Sequence, residues 1–112
     1  MSEASLRAIL NQIYRNTHSI IGDPLIDVIL FGSYARGDYD EGSDIDIALI
    51  VDMDREDLKQ FDNDINNMSS EILLENSVLV SVISIPAKEF EYWKKDLPFY
   101  RNVDTEGVRL KA

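Results

Sequence analysis

Leu6, Ile9, Leu10, Ile13 and Tyr14 recur at helical spacing, which predicts an amphipathic helix from Ser2 to about Arg15. Thr17 to Asp23 reads as a polar break, with His18, the one histidine, exposed to solvent. Pro24 then opens a strand over Leu25–Phe31. Ser33 is placed to cap a short helix over Tyr34–Arg36, which Gly37 ends, and Asp38–Ser43 is loop. Ile45–Val51 is a second strand whose nearly unbroken apolar run suits burial on both faces. From Asp54 to about Leu74 the pattern returns to helical, with Leu58, Phe61, Ile65, Met68 and Ile72 inward and Asp57, Asp62, Asp64 and Asn66 outward. Ser77–Ile85 is a third strand, ended by Pro86. A short helix from Ala87 to about Lys95 and a last one from Pro98 to Gly107 follow, with Tyr92, Trp93, Phe99 and Tyr100 read as packing residues. The order α-β-α-β-α-β-α-α predicts an α/β (α+β) fold, a small sheet covered by helices, in a single domain over residues 1–112.

Two short strings stand out against this frame. Gly32-Ser33 follows the first strand directly, and ten residues separate Ser33 from Asp44-Ile45-Asp46 at the start of the second. Asp-x-Asp by itself says little, because it recurs at Asp38/Asp40, Asp52/Asp54 and Asp62/Asp64. Asp44 and Asp46 differ in opening an apolar strand, where charge is costly unless paired or bound to metal. Alternation puts both on one face, their Cα atoms about 6.5 Å apart at ~3.3 Å per residue. That spacing suits carboxylates holding one or two Mg²⁺ ions alongside water and phosphate oxygens, or simply a strand-edge turn. Gly32-Ser33 reads either as an ordinary turn or as amides and a hydroxyl that hold phosphates. It is not a P-loop: Gly32 and Gly37 have that spacing, but Asp38-Tyr39 stand where Lys and Ser or Thr are required. Arg36, one turn beyond Ser33, faces two options: a phosphate, or an ion pair with Asp38 or Asp40. Tyr34 and Tyr39 flank the motif and read as packing rather than as base-stacking residues.

Taken together, Gly32-Ser33-Tyr34-Ala35-Arg36-Gly37 and Gly42-Ser43-Asp44-Ile45-Asp46-Ile47 resemble the signature of the DNA polymerase β-like nucleotidyltransferase superfamily. The chain is most similar to its minimal nucleotidyltransferase (MNT) branch. The match is strongest over Phe31–Val51, and the stretch from Leu97 to Leu110 is similar too. The resemblance implies a palm-like fold with a mixed sheet, Gly32 and Ser33 on the triphosphate, and Asp44 and Asp46 as catalytic metal ligands. It also implies transfer of AMP from Mg-ATP to an acceptor. MNT proteins are often encoded beside HEPN-domain toxins and act as antitoxins by modifying a toxin side chain such as tyrosine, so the partner implied is a HEPN-type toxin. One departure concerns a third carboxylate, which active members carry on a neighbouring strand. Here Ser77–Ile85 holds no acid, Ser77 or Ser81 would stand in its place, and Glu75 is the nearest substitute. A domain that neutralises its partner by contact, with weak or absent catalysis, is the alternative. Adenylylation of a small molecule such as an aminoglycoside ranks third, since that activity usually adds a helical acceptor domain.

Composition narrows the partners. Twenty-one acidic residues against eleven Lys and Arg give a net charge of −10. That balance disfavours nucleic acid and anionic membranes, whose binding rests on a basic surface. It also repels a bare triphosphate, so a nucleotide should arrive with its divalent cation, and it suits a basic protein partner. The longest apolar runs, such as Ile47–Val51, fall far short of the roughly 20 residues that span a bilayer. The N-terminus shows no secretory pattern, and the lack of cysteine fits the cytoplasm. An oligomer is left open.

Overall fold

Ile47, Ala48, Leu49, Ile50 and Val51 are all buried, which marks the second strand as the centre of the molecule. The computed structural model describes residues 1–111. In chain order the elements are α1 (Glu3–Ile21), β1 (Leu25–Phe31), α2 (Ser33–Arg36), β2 (Ile45–Val51) and α3 (Arg55–Leu58). A 3₁₀ turn, Lys59–Phe61, leads to α4 (Asp62–Asn76), β3 (Val80–Pro86), α5 (Ala87–Trp93), α6 (Pro98–Glu106) and β4 (Val108–Arg109). The sheet order is β3-β2-β1-β4. β1 runs antiparallel to β2 and to β4, whereas β2 and β3 are parallel. The parallel pair needs a crossover, which the helical stretch from α3 to α4 supplies. The result is an α+β sheet with the helical cover expected from the pattern, mixed as the family resemblance implies.

Alternation along β2 separates two cores. Ile45, Ile47, Leu49 and Val51 pack with Ile9 and Ile13 of α1 and Ile65, Met68 and Ile72 of α4. Ala48 and Ile50 face the other way, packing with Ile29, Ile85, Phe90 of α5 and Val103 of α6. Each fully buried Ile or Leu contributes about 1.5–3 kcal/mol, so a strand used on both faces anchors the fold. The same alternation sends Asp46 to the α5–α6 side.

Several boundaries differ from the sequence expectation. The first helix continues through the supposed polar break to Ile21. Thr17 makes that possible: it is fully buried, and its hydroxyl donates to the Ile13 carbonyl at 2.8 Å, leaving no orphaned polar group. His18 accordingly lies on a helix, half-buried against the Tyr14 ring at 4.3 Å. The long helix after β2 is interrupted by the 3₁₀ turn. The third strand starts at Val80 instead of Ser77, because Ser77 adopts φ +56° as the left-handed cap of α4. Of the aromatic residues read as packing, Tyr92 is 70% exposed, and Trp93 and Phe99 are exposed as well; only Tyr100 is partly buried beside Phe90.

Ser2 does cap α1, accepting from the Ser5 amide at 3.0 Å. Ser2→Ala should therefore lower stability by about 1 kcal/mol in urea melts while leaving the far-UV spectrum almost unchanged.

Candidate functional site

Gly32 ends β1 with φ +75° and ψ −154°, a region that glycine alone enters without strain. A side chain there would also collide with its surroundings: an added β-carbon falls on Oδ2 of Asp46. The strand register explains the contact, since Phe31 of β1 lies opposite Asp46 of β2. The two halves of the motif, ten residues apart in sequence, therefore touch.

Gly32 occupies the N-cap position of α2, and Ser33 is the first helical residue, contrary to the capping role expected for it. No side-chain cap bond is made, so the Ser33 hydroxyl is left available on the surface of a cleft. The Gly32 carbonyl accepts from the Ala35 and Arg36 amides, each at 3.1 Å. With four residues, α2 has little macrodipole, and what it offers a ligand is amide hydrogens and one hydroxyl.

The connection to β2 is held by its own bonds. The Asp40 carboxylate accepts from the Gly42 amide at 2.9 Å and the Ser43 hydroxyl at 3.3 Å, and the Asp40 amide donates to Ser43 Oγ at 3.0 Å. Asp40 is thereby explained as a turn acid. Asp44 emerges exposed at the end of this turn, and Asp46 follows half-buried. Among the described residues, neither carboxylate has an ion-pair partner. Burial, then repulsion from Asp44, holds the Asp46 carboxyl above its usual range, with Arg36 pulling it down less strongly.

Arg36 pairs with Asp38 through Nε at 3.3 Å, the second of the two readings left open for it, yet it also lines the cleft. Both partners are well exposed, so the pair is worth under about 1 kcal/mol and is easily exchanged.

The cleft measures about 390 Å³ and brings together Gly32, Ser33, Arg36 and Asp46, whereas Asp44 is not among its lining residues. Its opposite wall is α6, through Phe99, Asn102, Val103 and Glu106. Sequence reasoning missed these α6 residues as site residues. A larger hollow of about 520 Å³ opens on the α1 side, beside Ser5, Glu41 and Asn76, and contains none of Gly32, Ser33, Arg36, Asp44 or Asp46. Tyr34 reaches that side too, buried and stacked on Tyr39 at 4.1 Å, so the two tyrosines are packing residues as expected.

Ser81 of β3 is in register with Asp46, in the place where a third carboxylate would be expected. Ser77 lies off the strand, and Glu75 is exposed on α4. Among the described residues, no three His, Cys, Asp or Glu side chains converge in a metal-holding group. Two carboxylates still fit Mg²⁺, which commonly takes one or two protein carboxylates and completes its shell with water and substrate phosphates. Such a pair suits an ion delivered on a triphosphate better than a resident one.

Residues 11–106 match the nucleotidyltransferase domain family. A Methanocaldococcus jannaschii protein, described as a candidate protein adenylyltransferase, is 42% identical over 80 residues, covering 71% of this chain and 72% of its own. Among solved structures, a toxin–antitoxin with AMP-PNP superposes with a TM-score of 0.59 at 20% identity, over 92% of this chain and 73% of that one. A candidate nucleotidyltransferase of Sulfolobus solfataricus gives 0.53 at 23% identity, over 97% and 87%. At such identities the structural likeness is one of fold. No helix among the described residues is long and apolar enough to cross a membrane.

Proposed function

The chain belongs to the nucleotidyltransferase domain family, and we propose that it transfers AMP from Mg-ATP to a hydroxyl on a protein partner, a HEPN-type toxin that it neutralises in the cytoplasm. The observation that carries this reading is the contact of Gly32 with Asp46, which joins the Gly-Ser turn to a carboxylate without an ion-pair partner among the described residues in one cleft. Support for a protein acceptor comes from the M. jannaschii relative described as a candidate protein adenylyltransferase. The toxin–antitoxin structure of like fold, solved with AMP-PNP, supports the partner and the nucleotide. The residues from 1 to 112 act as one domain in this reading, and the acceptor comes from outside it.

In the reaction the acceptor hydroxyl oxygen attacks the α-phosphorus, the bond to the α–β bridging oxygen breaks, pyrophosphate leaves with the electron pair, and the hydroxyl proton is lost to water. The amides of the Gly32-Ser33 turn and the Ser33 hydroxyl hold the β- and γ-phosphates, and Arg36 exchanges Asp38 for a phosphate oxygen. Asp44 and Asp46 would hold the divalent ions, which when bound supply positive charge against the phosphates. Catalysis of this kind rests on positioning and charge stabilisation, so the Asp46 carboxylate, braced against the turn, contributes mainly geometry.

One observation favours the second reading, neutralisation by contact alone: β3 places Ser81, with no acid, beside Asp46. The two separate cleanly. Incubation with ATP, Mg²⁺ and the protein encoded next to it should add the mass of AMP to that protein, and the double substitution Asp44→Ala, Asp46→Ala should remove the increment. Neutralisation that persists in the double variant, with no mass change in either, would assign the contact role instead.

A further inference from the structure

The wall of the cleft that faces the motif has a chemistry of its own. Phe99, Asn102 and Glu106 are spaced three and four residues apart on α6, so they share one helical face, and all three line the cleft. Phe99 is held edge-on to Phe31 at 5.6 Å while remaining 43% exposed, which leaves ring surface open to the cleft. Asn102 and Glu106 are exposed, and neither side chain has a hydrogen-bond or ion-pair partner among the described residues. Their placement comes from β4: Val108 pairs with Leu30, so the chain just before it runs back alongside Phe31 and Gly32. Gly107 permits that approach, because a β-carbon there would fall on Ile29 Cγ2 and the Val103 carbonyl.

Charge divides the cleft. A carboxylate repels phosphate oxygens, so a triphosphate has no reason to lie against Glu106, and it runs instead along Ser33 and Arg36. What remains for α6 is the uncharged half of the ligand. An aromatic face suits a base, a carboxamide can both donate to and accept from a base edge, and a carboxylate accepts from a sugar diol. At about 390 Å³ the cleft lies within the size range of sites that enclose small ligands.

We propose that the α6 face carrying Phe99, Asn102 and Glu106 binds the nucleoside half of the nucleoside triphosphate, with Phe99 against the base, Asn102 on its edge and Glu106 on the ribose hydroxyls. This rests on the nucleotidyltransferase reading above and adds a specificity wall to it. The test compares two ligands by calorimetry with Mg²⁺ present: ATP, and inorganic tripolyphosphate, which lacks the nucleoside. The wild-type chain should bind ATP more tightly than tripolyphosphate. Phe99→Ala and Asn102→Ala should each weaken ATP about tenfold, in line with the loss of one stacking or base-edge contact. Glu106→Gln should weaken ATP more than its 2′,3′-dideoxy analogue. Tripolyphosphate should bind all three variants within about twofold of wild type, as should both ligands to Thr105→Ala, an exposed α6 residue that does not line the cleft. Equal losses for ATP and tripolyphosphate, or no loss for either, would overturn the assignment of α6 while leaving the phosphate site standing. Failure of the wild-type chain to bind either ligand would overturn the nucleotide reading itself, and this inference with it.

Discussion

Gly32→Ala is expected to abolish nucleotidyl transfer and to destabilise the fold by about 3 kcal/mol. Two separate effects add. The first is conformational: φ +75° with ψ −154° lies where a β-carbon is not tolerated, at a cost of roughly 1–3 kcal/mol. The second is steric, because the methyl falls on the Asp46 carboxylate, which must turn away from the position that β2 gives it. A double-mutant cycle distinguishes them. In an Asp46→Ala background the steric part disappears, so Gly32→Ala should cost about 1 kcal/mol less there than in the wild type, measured by urea denaturation. Gly37→Ala is the control. Gly37 also has positive φ, at +86°, but an added β-carbon meets nothing within 4 Å. Its substitution should cost only about 1–2 kcal/mol and leave transfer within a few-fold of wild type. Equal loss of activity in both variants would mean that backbone strain at α2, and not the contact with Asp46, governs the site.

The contact also shows what the sequence could and could not reveal. β1 and β2 were legible to the residue, because strands buried on both faces leave long apolar runs and the Gly-Ser corner marks where one ends. Their pairing put Gly32 and Asp46 together, so most of the candidate site was legible with them. The end of α1 was not, because Asn16, Thr17 and His18 look like a break. The signal was present all the same: Ile9, Ile13 and Thr17 are spaced four apart, with Ile20 and Ile21 continuing the stripe. A threonine that satisfies itself on the preceding turn can replace an apolar residue there. The α6 wall was harder to foresee. Its approach to Gly32 depends on β4, a pairing of only two residues, and on Gly107 fitting against Ile29. A two-residue strand has no periodicity to detect, and the need for glycine at position 107 exists only once β1 is beside it. Phe99 and Trp93 read as packing residues for a related reason: composition favours burying aromatics, whereas α5 and α6 cover the sheet mainly through Phe90 and Val103.

Asp46→Asn should give the opposite sign for stability and the same result for transfer. Asparagine keeps the shape of the side chain while removing its charge, so the packing against Gly32 survives. In the metal-free protein that charge is unfavourable, because burial and Asp44 both disfavour it and Arg36 offsets only part. The solvent still in contact with the group keeps the gain from removing it small. The sign with pH follows from proton binding. A folded-state pKa raised above the unfolded one means that the native chain binds the proton more readily, so the penalty is complete at neutral pH and disappears as pH falls through the raised value. In EDTA, the variant should therefore be the more stable protein near pH 7, and the difference should close on acidification. Transfer to the partner should fall by at least about a hundredfold, as for removal of a group that positions charge in the transition state. Adding Mg²⁺ and ATP should raise the melting temperature of the wild type and not that of the variant, reversing the order found in EDTA. If the variant melted lower in EDTA, Asp46 would be a structural acid with a partner in the fold, and the carboxylate pair would not be the chemical half of this site.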